Sequence, residues 1–129
     1  MSKSVAEMIG EARAAIELVS PEAVSEELAA GGPIVIDVRE PVEWERHIEG
    51  ALQVPRGLLE FVADPASSRY NSEFELGRRV IVYCASGARA ALATLTLKNM
   101  GYENVANMDG GLKAWTAADL PTVEHHADF

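Results

Sequence analysis

The chain reads as an α/β domain, a mainly parallel sheet with helices on both faces, and three observations predict it. Short strand-forming runs recur near 33–38, 51–55, 80–84 and 104–108, and the first and third are apolar on both faces, as interior strands of a parallel sheet are. Segments with helical spacing lie between or beside these runs. Glycine and proline punctuate the boundaries at Gly31, Pro41, Gly50, Gly101 and Pro121.

Taken in order, Ser4 caps a helix with Glu7 three residues on. Val5, Met8, Ile9, Ala12, Ile16 and Val19 then recur at helical spacing, which predicts an amphipathic helix of about four turns. Residues 1–19 are therefore expected to form an extra N-terminal helix packed on the domain, with a homodimer contact as the alternative use of its stripe. Ser20 and Pro21 start the next helix, which stops at Gly31 and Gly32. The run from Pro33 to Glu40, apolar on both faces until Asp37, reads as a buried strand with Asp37 and Arg39 at its C-terminal end. Pro41 restarts a helix, expected to run to Ile48 with Trp44 and Ile48 in the core. A short strand at 51–55 leads to Arg56 and Gly57 and one or two helical turns. The stretch 64–72 is the least patterned and reads as a loop, either a surface excursion or a pocket wall. Val80, Ile81, Val82 and Tyr83 make the central strand, followed by a loop and a helix ended by Gly101. A last strand at 104–108, a turn at Asp109, Gly110 and Gly111, and a helix stopped near Pro121 complete the domain, and residues 124–129 read as a frayed tail.

Composition narrows the function classes. The 129 residues suffice for one domain with a core of its own, and no repeat, low-complexity tract or linker divides them. A net charge of −9 argues against nucleic acid and anionic membranes as partners. The single cysteine forms no disulfide within the chain, and no basic-then-apolar leader or membrane-length apolar run is visible. These features predict a cytoplasmic protein.

The chemistry concentrates at Cys84, where the central strand breaks into Ala85, Ser86, Gly87, Ala88 and Arg89 before a helix. Small residues let the loop curl so that its N–H groups converge, and the helix start adds partial positive charge. Such a field favours the sulfur as a thiolate nucleophile. Arg89 can balance that charge or hold an anionic substrate by its planar fork. The competing reading of Cys84 is an inert, small, buried hydrophobe. The company of strand, small-residue loop, arginine and helix favours the reactive thiol.

Four groups of residues in order carry a family resemblance: Asp37-Val38-Arg39-Glu40, His47-Ile48-Glu49-Gly50-Ala51, the loop from Cys84 to Arg89, and Asp109-Gly110-Gly111-Leu112-Lys113-Ala114-Trp115. The chain resembles the single-domain rhodanese, or thiosulfate sulfurtransferase-like, family over about 20–120. The resemblance implies a rhodanese-like domain over 20–129 with a five-stranded sheet. It also implies a ping-pong reaction in which Cys84 takes sulfane sulfur from thiosulfate or a related donor. The resulting persulfide then passes the sulfur to cyanide or a thiol. The implied partners are a small anionic donor and such an acceptor, and the loop amides that hold a thiolate can hold a persulfide with no metal or organic cofactor. The chain departs from the family pattern at two positions. Ala85 stands where many thiosulfate-specific members carry a basic residue, and Glu49 replaces the usual proline.

The resemblance assigns Cys84 as nucleophile and Ala85, Ser86, Gly87, Ala88 and Arg89 as the substrate-binding loop. Asp37, Arg39 and Arg56 are supporting candidates, the first two read chiefly as an ion pair bracing the loop and Arg56 equally as a solvated surface residue. His47, placed at a helix end, and His125 and His126, in the tail, are unconvincing bases. Two rival functions stand beside sulfur transfer. One is a non-turnover sulfur carrier or partner-binding module. The other is a cysteine phosphatase, disfavoured because those loops place five residues between cysteine and arginine where this one places four.

Overall fold

The computed structural model describes residues 2–124. Five parallel strands form one sheet in the order β1-β6-β5-β2-β4. These are β1 (Glu17–Val19), β2 (Ile34–Asp37), β4 (Leu52–Gln53), β5 (Val80–Tyr83) and β6 (Val105–Met108). The sheet is central because β2 and β5 carry only apolar side chains before Asp37, so both of their faces have to be covered. The register sets Ile34 beside Val80 and Asp37 beside Tyr83, and Val82 beside Asn107.

Alternation along the strands divides the core in two. Ile34, Ile36, Val80, Val82 and Cys84 face α3 (Leu59–Ala63) and α4 (Ala88–Asn99), through Leu59, Ala63, Ala90, Ala93 and Leu97. Val35, Ile81, Tyr83 and Met108 face α2 (Pro21–Ala30) and α5 (Gly111–Ala117), through Val24 and Trp115. Cys84 and its neighbour Tyr83 thus sit on opposite faces of the same strand end. The 64–72 stretch is a loop, anchored where Asn71 N–H donates to Val62 O at 2.9 Å. Tyr102 Oη closes this side by donating to Ala63 O at 2.6 Å. Burial pushes its phenol up to about 12, which keeps it a donor. Among the described residues no helix is long and apolar enough to cross a membrane.

Three expectations are corrected. The first helix, expected to reach Val19, is α1 (Val5–Ala15), with the Ser4 and Glu7 capping box in place. Ile16 turns extended, and Glu17, Leu18 and Val19 pair with Ala106, Asn107 and Met108 instead. The helical spacing of Ile16 and Val19 lost to an open sheet edge, sealed where Asp109 N–H donates to Val19 O at 2.7 Å. The helix expected from Pro41 to Ile48 is a single 3-10 turn, Pro41–Glu43, followed by β3 (Arg46–His47). In this stretch Arg46 O accepts from Arg39 Nη2 at 2.7 Å. Ile48 is buried as expected, whereas Trp44 is only half-buried. Third, Glu124 is not frayed, because β7 (Val123–Glu124) pairs antiparallel with β3. The rest of the expected tail, with His125 and His126, lies outside the described residues.

Candidate active site

Cys84 follows the last residue of β5 and is 1% exposed. Gly87, at φ +109°, makes the turn into α4 that a side chain would strain. The turn aims two amides at the sulfur: Gly87 N–H donates to Cys84 Sγ at 3.1 Å and Ala90 N–H at 3.4 Å. The thiol therefore sits at the positive end of a twelve-residue helix, with two donors already directed at it. Both donors are placed to meet an electron-rich group at this position.

The outside of the loop is held by α5. Leu112 N–H donates to Cys84 O at 2.8 Å, and Lys113 N–H to Ala85 O at 3.0 Å. So close an approach needs Gly111, where a Cβ would lie 2.5 Å from Cys84 O and 2.7 Å from Ala85 O. Two adjacent glycines are the sequence's trace of this contact. Buried Asn107 on β6 reaches the loop from below, its Nδ2 donating to Gly87 O at 3.4 Å while its Oδ1 has no partner.

Asp37 and Arg39 form a buried pair at the C-terminal end of β2. Arg39 Nε donates to both Asp37 oxygens and its Nη2 to Oδ2 at 2.8 Å. Tyr83 Oη donates to Asp37 Oδ2 at 2.9 Å and accepts from Ile48 N–H at 3.1 Å. Burial, followed by the charge of Asp37, pushes the Tyr83 phenol well above its ordinary range, so it stays a donor. The pair thus ties β2 and β5 to the turn at Ile48.

The remaining arginines are engaged elsewhere. Both Nη atoms of Arg89 donate to Glu43, at 2.7 and 2.9 Å. This lowers the Glu43 carboxyl from 4.5 to about 2. Glu43, which sequence reasoning did not single out, thereby clamps the 3-10 turn to the start of α4. Arg56 donates to Glu60 at 3.0 Å and to Thr96 Oγ1 at 3.1 Å, bracing α3 against α4. His47 belongs to β3 rather than a helix end, and its Nδ1 meets Trp44 O at 3.2 Å. Beside Ala85 opens a cleft of about 350 Å³, lined by Arg39, Ala85, Leu112, Lys113 and Thr116.

A parallel sheet whose central strand ends in a cysteine loop ahead of a helix start defines a class of α/β protein with its site at the C-terminal edge of the sheet. Within that class this chain belongs to the rhodanese-like family, whose model, described as Rhodanese-like domain, matches residues 20–118. A protein named Sulfurtransferase from Allochromatium vinosum is 35% identical over 107 residues, covering 81% of this chain and 92% of that protein. Thiosulfate sulfurtransferase 16 of Arabidopsis thaliana is 35% identical over 104 residues, covering 77% and 87%. The chain spans only 25% of the length of a Mycobacterium tuberculosis relative, 31% identical, named "Probable adenylyltransferase/sulfurtransferase MoeZ". A solved Rhodopseudomonas palustris protein of unknown function, described as "Possible Tyrosine Phosphatase", superposes with a TM-score of 0.87 at 32% identity over 95% of this chain and 96% of that one. The human single-domain sulfurtransferase TSTD1 superposes at 0.70 with 25% identity, over 78% and 95%.

Proposed function

We propose that this protein is a sulfurtransferase that carries sulfane sulfur on Cys84. The observation that carries the reading is the pair of amides from Gly87 and Ala90 on Cys84 Sγ at the start of α4. In the first half-reaction the thiolate attacks the outer sulfur of thiosulfate or a related donor. The donor's S–S bond breaks, sulfite leaves with the electron pair, and the new S–S bond makes Cys84 a persulfide anion. In the second, cyanide or a thiolate attacks the terminal sulfur and the Cys84 thiolate is regenerated. The amides of Gly87 and Ala90 hold the charge at both stages. A cytoplasmic setting fits a thiol that has no disulfide partner within the chain.

The phosphatase description attached to the Rhodopseudomonas protein is the nearest rival. Four residues between Cys84 and Arg89, and an Arg89 fork taken by Glu43, leave this loop short of the room and the cation a tetrahedral phosphate uses.

Intact-mass spectrometry after thiosulfate treatment tests the reading. We expect one added sulfur atom, removed by a reductant or by cyanide with release of thiocyanate, and none in Cys84→Ser. A Cys84→Ser protein that still releases thiocyanate would overturn the nucleophile. Loading by a protein persulfide donor but not by thiosulfate would make the protein a sulfur carrier.

A further inference from the structure

Apart from the cysteine and the aromatic residues, four polar side chains are buried among the described residues: Asp37, Arg39, Thr94 and Asn107. Asp37 and Arg39 satisfy each other. Thr94 closes on its own helix, its Oγ1 donating to Ala90 O at 2.7 Å. Asn107 differs from these three. It is fully buried, and the one hydrogen bond its side chain makes among the described residues leaves β6 for the cysteine loop, Nδ2 donating to Gly87 O at 3.4 Å. The register sets Asn107 beside Val82, which shares a core face with Cys84. Gly87 is the residue whose N–H donates to Cys84 Sγ at 3.1 Å. It is therefore held from two sides, by the sulfur through its N–H and by Asn107 through its carbonyl. The orientation of the Asn107 amide is fixed, because exchanging Oδ1 with Nδ2 would set two oxygens against each other at Gly87.

Stability does not account for this side chain. Its Oδ1 is buried with no partner among the described residues, which costs the fold, and its Nδ2 bond is long. Gly87 O stays paired without it, because Ala91 N–H donates there at 2.9 Å. A leucine of the same heavy-atom shape would remove the orphan oxygen and strand no acceptor. What a leucine cannot do is tether the Gly87 carbonyl to the sheet. Gly87 sits at φ +109° with no Cβ to pack, so its orientation depends on its hydrogen bonds. We infer that Asn107 is a positioning residue for Cys84, tethering Gly87 to β6 so that the Gly87 N–H stays aimed at the sulfur. Its use in turnover rests on the sulfur-transfer reading, but the aim of the amide can be measured on the thiol itself.

Asn107→Leu separates positioning from packing. In this variant the rate of Cys84 alkylation by iodoacetamide should follow a pH profile displaced to higher pH, because one of the two donors on the sulfur is no longer held in place. The kcat/KM for thiosulfate should fall about three- to tenfold, the effect of one hydrogen bond. The urea midpoint should equal or exceed that of the wild type. Asn107→Ser, whose side chain ends one bond short of Nδ2, should displace the profile in the same direction, and it carries the test if the leucine variant does not fold. As a control, Val105→Ala lies on the same strand beside Val80, at the far end of β5 from the loop. It should lower the urea midpoint and leave the alkylation profile in place. A wild-type profile in the Asn107 variants, or one displaced equally by Val105→Ala, would overturn the positioning role. A displaced profile in the variants of a protein whose wild type takes up no sulfur would uphold the tether and overturn the sulfur-transfer reading instead.

Discussion

Cys84 owes its environment to residues that carry no reactive group. Gly111 is the sharpest case, because the backbone of the cysteine loop occupies the space its side chain would need. Its φ of +62° adds strain for any residue with a Cβ. Gly111→Ala must therefore push α5 off the loop and break the bonds to Cys84 O and Ala85 O. We expect a loss of about 2 kcal/mol or more by urea denaturation, together with a larger loss of thiocyanate release, since Cys84 moves with the loop. Asp37 and Arg39 illustrate the other kind of support. Their pairing is nearly solvent-free, so each is needed to keep the other from being a buried lone charge.

Among the elements, the 3-10 turn at Pro41–Glu43 and α4 are joined by one exposed-edge pair, Glu43 with Arg89. Arg89 lowers the Glu43 carboxyl to about 2, so the folded form binds this proton less readily than the unfolded chain. The pair's contribution is present above the ordinary glutamate value of 4.5 and is lost as pH falls towards 2. Because both side chains are partly solvated, its size is about 1 kcal/mol or less. Chemical denaturation of wild type and Glu43→Gln should differ by a constant amount above about pH 5. The difference should vanish as the carboxyl is protonated.

At the level of the fold, residues ahead of the matched family span belong to the sheet. β1 covers the edge of β6, Ala12 of α1 is fully buried, and Arg79 ties Glu17 of β1 to Glu27 of α2 and to Asn104 ahead of β6. Removing 1–19 would bare the β6 edge and leave Arg79 with three of its five hydrogen bonds. Thermal unfolding should show one cooperative transition in the full chain, and a midpoint lower by several degrees, with concentration-dependent association, in the shortened one. A midpoint unchanged by the truncation would mean the strand contributes nothing.

The local devices were legible in the chain: the Ser4 and Ser20 caps, the apolar β2 and β5 runs, the small-residue loop after Cys84 and the paired glycines at 110–111. Each is a short-range rule acting within a few residues, and the family motifs lie among them. The order of the strands, the conversion of 17–19 from helix to edge strand and the break after Glu43 were settled by partners dozens of residues away. The same holds for the site's charges. Sequence order set Cys84 beside Arg89, but only packing could show that Glu43 holds the arginine. Electrostatic pairing depends on distance through space, and that distance is a property of the packed fold rather than of the order of its residues.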